Sequence, residues 1–147
     1  MPIRCEIVSQ DKLVYQGDAD IVVLPGTDGE MGILPRHAPL LTTLKFGVIT
    51  VRAQGQETYF TVAGGVAEIQ PEIITVLADA AENVAEIDVE RAETARKRAE
   101  EALAKGVPLE PDSYLKMEAA LRRSNLRLDA VRRYRRGAPR PPRAAEE

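Results

Sequence analysis

The chain has 147 residues, of which 44% are apolar, 29% charged and 4% aromatic, with no tryptophan. That composition excludes a disordered chain and leaves room for one medium domain or two small ones, with a core built from Val, Ile, Leu and Ala. The single cysteine, Cys5, excludes an internal disulfide and a cysteine-based metal site and suits a reducing compartment. No apolar run reaches the roughly 18 residues that a membrane span needs, and the opening Met1-Pro2-Ile3-Arg4-Cys5-Glu6 lacks the pattern of a secretory signal.

The net charge of −3 conceals an asymmetry. From Arg122 to Glu147 nine arginines face three acids, a local charge of +6, so the preceding residues carry −9. An acidic body with a basic end implies a partner with a negative patch, either on another molecule or on the body itself.

In chain order, residues 3 to 80 read as short strands. Ile3, Cys5 and Ile7 alternate with Arg4, Glu6 and Val8. Leu13–Tyr15, Ile21–Leu24 and Met31–Leu34 follow, punctuated by Ser9–Lys12, Gly17-Asp18 and Pro25–Gly29. Val48–Val51 and Thr58–Val62 flank Gln54-Gly55-Gln56, a hairpin signal. Gly64-Gly65 reads as a turn before Val66–Ile69, and Gln70-Pro71-Glu72 precedes Ile73–Leu77. Strands at this spacing predict a small sandwich or barrel over 1–84.

The pattern then changes. From Asp88 to Lys105 the chain is rich in Ala, Glu and Arg, with Asp88 as a helix cap, Glu90 in the first turn and Gly106 as a stop. Asp112 is the expected cap of a second helix running to Arg136. Ala92, Ala95, Ala99 and Ala102 form a small-residue stripe. Tyr114, Met117, Leu121, Ser124, Leu128 and Val131 form a larger one, so the helices over 85–136 predict an antiparallel hairpin. The first helix is so poor in bulky apolar residues that the pair is marginal by itself, a physical opening for a mobile element. The tail over 137–147, rich in Pro and Arg, is expected to be disordered.

Little here suggests bond-making chemistry. His37 is the only histidine and sits between Pro35 and Pro39 without an evident nucleophile. No Walker loop or Gly-x-Gly-x-x-Gly occurs, and no carboxylate pair stands out. Cys5 reads as a small buried hydrophobe. What remains is the loop over 29–42, which sets Glu30, Arg36 and His37 beside apolar residues, and the arginines of the helices. The plain alternatives are a sheet corner and a solvated helix face.

Those residues carry a resemblance. Gly29-Glu30-Met31-Gly32-Ile33-Leu34-Pro35-Arg36-His37-Ala38-Pro39-Leu40-Leu41-Thr42 closely resembles the signature of the epsilon subunit of bacterial rotary ATP synthases. Val62–Ile69 and Ile74–Ala81 are similar to two further blocks of that family, and Ile87-Asp88-Val89-Glu90-Arg91-Ala92 to its helix-opening motif. The likeness runs in order from about residue 3 to 131.

The resemblance implies a β-sandwich of ten strands followed by a helical hairpin. It implies a non-catalytic central-stalk subunit, peripheral on the cytoplasmic face of the bacterial plasma membrane, that couples proton-driven rotation to ATP synthesis. The implied partners are the gamma subunit, the ring of c subunits and the alpha/beta catalytic head, with Glu30 touching the c-ring and His37 near gamma. The helical pair is implied to be a brake on ATP hydrolysis, released when folded and applied when extended into the head. No cofactor is required, yet some family members bind ATP in the folded state. The matching residues here are Glu82, Ile87, Asp88, Arg91, Ala92, Arg98, Arg123 and Arg127. The basic end of the second helix, Arg132, Arg133, Arg135 and Arg136, is expected to meet an acidic stretch of the head. Arg36 stands where the family pattern has glycine. Two rivals stay open from the residues themselves: a nucleic-acid-binding module that uses the arginine helix, and a small enzyme on a β body.

Overall fold

A computed structural model describes residues 1–105 and 110–135. The chain divides into two compact units, the first covering 1–84 and the second beginning at Ala85.

The first unit holds eight strands: β1 (Ile3–Val8), β2 (Leu13–Ala19), β3 (Ile21–Gly26), β4 (Gly29–Ile33), β5 (Leu40–Ala53), β6 (Gln56–Ile69), β7 (Ile73–Ala78) and β8 (Ala81–Asn83). Their order is β2-β1-β7-β6-β5-β3-β4, with β8 on β6. All neighbours are antiparallel except β1 and β7, which run parallel from Arg4↔Ile73 to Val8↔Leu77.

The resemblance implied ten strands, and the difference lies in β5 and β6. Each runs for 14 residues. At Lys45 and Gly64 the pairing between them is interrupted without a change of register, Leu44↔Gly65 standing on one side and Phe46↔Ala63 on the other. Before the gap in β5 and after it in β6, the ladder continues to β7, β1 and β2, with Leu44 also opposite Gly26 of β3; the remaining stretches pair with β3 and β8. Counted as two strands each, they make ten. The two halves of the sheet face each other, and the Phe60 ring on β6 meets the Tyr15 ring on β2 with centroids 5.2 Å apart.

Gly64-Gly65 is therefore not a turn between strands but the bend inside β6. Gly65 has φ +135, and a Cβ there would collide with the Leu77 carbonyl oxygen across the sheet. Only glycine allows that close approach. The hairpin signal at Gln54-Gly55 is a two-residue turn with both φ values positive, 52 and 78, the geometry that continues the twist of the strands. Asp20 Oδ2 accepts the Gln54 N–H at 2.9 Å and fixes it.

Period-two alternation builds the core. Ile3, Cys5 and Ile7 are buried, as are Val22, Leu24, Ile49, Val51, Phe60, Val62, Ile69, Ile74 and Val76. These side chains come from facing parts of the folded sheet and form one cluster.

After a single 3-10 turn over Val84–Glu86, the second unit holds α1 (Val89–Ala104) and α2 (Pro111–Tyr134), which pack against each other. Asp88 caps α1, its Oδ1 accepting the Arg91 N–H at 3.1 Å. Asp112 does not cap α2. Pro111 already occupies the first helical position, where its fixed φ fits and its missing N–H costs nothing, so the cap falls on Glu110 and Asp112 sits inside the first turn. Ala92, Ala99, Ser124, Ala130 and Val131 are buried, while Ala95, Ala102, Met117, Leu121 and Leu128 are half-buried. Tyr114, expected in the stripe, is 46% exposed; its hydroxyl bonds Glu118 one turn on, which also raises its pKa. The expected disordered tail, like Arg136, lies outside the described residues.

Candidate functional site

Two separate arrangements collect the candidate residues, one in each unit. The first is the end of the sandwich formed by 29–42. Glu30 is not in a loop but on β4, exposed and paired across from Pro25. The chain then leaves the sheet at Leu34 and re-enters it at Leu40. Between them Arg36 adopts φ 64, in the left-handed region. Its N–H donates to the Pro71 carbonyl at 2.8 Å, which ties the segment to the turn before β7. The His37 N–H donates to the Leu34 carbonyl at 3.2 Å, and its Nδ1 lies 2.7 Å from the Ala38 carbonyl. Leu34, Leu40 and Leu41 are 57%, 39% and 70% exposed. Leu40 and Leu41 lie opposite Ile69 and Glu68 on β6, next to the same turn. The segment over 29–42 thus combines solvent-facing leucines with a carboxylate, a guanidinium and an imidazole, the mixture from which protein interfaces are made.

The second arrangement is the start of α1 and the arginines of the hairpin. Ile87, Asp88, Arg91 and Ala92 fall on one turn. Beyond the cap bond, the Ala92 N–H donates to the Asp88 carbonyl at 3.1 Å. Arg91 and Arg98 are exposed and seven residues apart, hence on one face of α1. On α2, Arg123 is exposed and Arg127 half-buried, one turn apart. Glu82 lies on β8, in the other unit, where its backbone pairs with Thr61. At the end of α2, Arg132 and Arg133 are exposed, Arg132 lying 3.7 Å from Asp129.

Two features escaped the reading of the sequence. Arg96 lies among the half-buried residues of α1 with Ala95, its Nε buried without a hydrogen-bond partner and 4.0 Å from Glu100. Its spacing of four from Ala92 was the signal that placed it on that face. Arg135, grouped with the outward-facing basic end, turns inward instead, and Nη2 donates to the Ile87 carbonyl at 2.6 Å. No local pattern announces a contact across 48 residues.

Cys5 is buried, and burial first, then the neighbouring Glu6 charge, pushes its thiol up to about 12, far from the range of a nucleophile. Among the described residues no three His, Cys, Asp or Glu side chains gather to hold a metal, and no helix is long and apolar enough to cross a membrane.

Residues 2–84 match the family model of the ATP synthase delta/epsilon chain beta-sandwich domain, and residues 85–132 match that of its long alpha-helix domain. This chain belongs to the ATP synthase delta/epsilon family. Among relatives, the ATP synthase epsilon chain of Alkalilimnicola ehrlichii is 40% identical over 139 residues, which cover 94% of this chain and 98% of that one. The epsilon chain of Pelotomaculum thermopropionicum is 49% identical over 102 residues, 69% of this chain and 76% of that one. This family member also shares its fold with a chain from the Euglena gracilis mitochondrial ATP synthase OSCP/F1/c-ring structure. The TM-score is 0.72 at 22% identity, over 88% of this chain and 81% of that one. Membership in the epsilon branch of the F-type family accounts for the resemblance carried by 29–42 and 87–92.

Proposed function

We propose that this epsilon-family chain is the non-catalytic coupling and regulatory subunit of a proton-translocating ATP synthase central stalk. The sandwich docks on gamma and the c-ring through the end that carries Glu30 and His37. The helical pair brakes ATP hydrolysis at the alpha/beta head. Attachment to the membrane face then runs through the ring. The observation that carries the docking half is the exposure of three leucines, Leu34, Leu40 and Leu41, in the same segment over 29–42 that carries Glu30 and His37. Charged groups rimming an apolar patch give register as well as affinity. Further support comes from a fold shared with a chain of the Tetrahymena thermophila mitochondrial ATP synthase central stalk/c-ring structure, at TM-score 0.55, 11% identity and coverage of 89% of this chain and 97% of that one.

The regulatory half includes an ATP site on the folded hairpin. Arg91 and Arg98 on α1, with Arg123 and Arg127 on α2, supply four guanidinium groups, enough to match a triphosphate by bidentate bonds. Ile87, Asp88 and Ala92 form the turn beside which a base is read. The donor chemistry fits: Asp88 keeps one carboxylate oxygen clear of the cap bond, and Arg91, Arg98 and Arg123 face solvent. A ligand held by arginines of both helices binds the closed pair only and shifts the population towards it.

Membranes stripped of the chain and reconstituted with it test the docking half. The full chain should restore proton-coupled ATP synthesis, whereas a Leu41→Asp variant should bind gamma and ring at least tenfold more weakly. Equal binding by the variant overturns the assignment of that end. For the ATP site, calorimetric titration of the full chain should detect binding that Arg91→Ala abolishes; silence at millimolar ATP removes it.

A further inference from the structure

We propose that Arg135 is the latch that holds the helical pair closed. The inference rests on the reading of the pair as a mobile element. The bond itself is plain: the guanidinium at the end of α2 donates at 2.6 Å to the backbone carbonyl of Ile87, the residue just ahead of the Asp88 cap of α1. One end of the hairpin is closed covalently by the connector between α1 and α2. The other end is held by non-covalent contacts alone, and Arg135 lies there. The bond is partly buried and its donor is charged, so it is stronger than the exposed ion pairs of the helices. The Arg135 N–H is held by the Val131 carbonyl at 3.1 Å, so the side chain projects from an ordered last turn.

Its setting gives this bond weight. The buried residues of the two helices themselves are small: Ala92 and Ala99 on α1, Ser124, Ala130 and Val131 on α2. Such a seam buries little apolar area, so one charge-assisted bond is a sizeable fraction of what holds the helices together. Arg132 and Arg133, in the same turn, are exposed. Charge alone therefore does not draw the terminal arginines inward; the position of Arg135 on the helix does.

The bond also makes two states exclude each other. Arg135 belongs to the basic end proposed to meet an acidic surface of the catalytic head. One guanidinium group bonded to the Ile87 carbonyl cannot extend with α2 to a distant carboxylate. Closing the pair and engaging the head compete for a single side chain, as a two-state switch requires.

Hydrogen exchange of the full-length chain tests the latch without any partner. Arg135→Ala should speed exchange of α1 and α2 amides about tenfold, the loss of one charge-assisted bond, and leave β1 and β7 unchanged. Arg135→Lys, which keeps the charge but not the planar donor, should fall between. Arg133→Ala removes the same charge two residues away and should change nothing. Unaltered exchange in Arg135→Ala, or equal acceleration in Arg133→Ala, overturns the latch. Faster exchange together with unchanged inhibition of hydrolysis in the assembled complex upholds the latch and removes the regulatory reading instead.

Discussion

The two units of this chain are built on opposite principles. The sandwich buries branched and aromatic side chains, Ile3, Ile7, Leu24, Ile49, Phe60 and Ile74 among them, in one cluster drawn from facing parts of the sheet. The hairpin buries alanines, a serine and a valine along a seam between α1 and α2. Bulky interdigitated cores have one well-packed solution, whereas a thin small-residue seam can open at little cost. The proposed coupling and regulatory role would use both: a body that transmits force without yielding and an appendage that changes state. Rigidity here is a matter of side-chain volume, read directly from which residues lie inside.

The largest expected effect lies in the sandwich. Phe60 is 1% exposed and stacks against Tyr15 across the layers. Phe60→Ala should lower the unfolding free energy of the sandwich by about 3–5 kcal/mol, measured by urea unfolding with hydrogen exchange of β1 and β7 as the local probe. A loss well under that range means that the two layers collapse onto the cavity and that the body is softer than its packing suggests.

A smaller effect belongs to the seam. Ala99 is 1% exposed on α1, and a larger side chain there must push against its surroundings. Ala99→Leu should cost the hairpin about 1–3 kcal/mol. The change appears as earlier loss of helical circular dichroism and faster exchange in α1 and α2, with β1 and β7 unaffected. If β1 and β7 loosen equally, the two units share one cooperative transition and the contrast drawn between them fails.

How much of this was legible in the sequence follows from the range of the interactions. The alternation of Ile3, Cys5 and Ile7, the turn at Gln54-Gly55 and the cap at Asp88 depend on neighbours a few residues away, and each stands as read. Where distant residues decide, the local signal misleads. Gly64-Gly65 has the composition of a turn, yet the Leu77 carbonyl across the sheet makes it a bend within β6. Asp112 has the chemistry of a cap, yet Pro111 starts the helix before it. The arginines of α2 look alike in sequence, and only the fold separates Arg135, bonded to Ile87, from exposed Arg132 and Arg133.

A still smaller change in stability is expected at Arg36, within the sandwich. Arg36 holds φ 64, a conformation that costs a side-chain-bearing residue about 1–2 kcal/mol, and its own N–H is fixed to the Pro71 carbonyl, so the backbone cannot relax. Glycine accepts that conformation but carries a larger entropy cost on folding, about 0.5–1 kcal/mol. Arg36→Gly should therefore stabilise the isolated chain by up to about 1 kcal/mol, seen as a higher urea midpoint with unchanged slope. The rigid unit would then be strained at the very end proposed to dock, beside Leu34 and Leu40, and the arginine there would be retained for what it touches in the assembled stalk. A destabilised Arg36→Gly chain would mean instead that the side chain contributes more to the free fold than its backbone costs, and that the loop is as settled as the core beneath it.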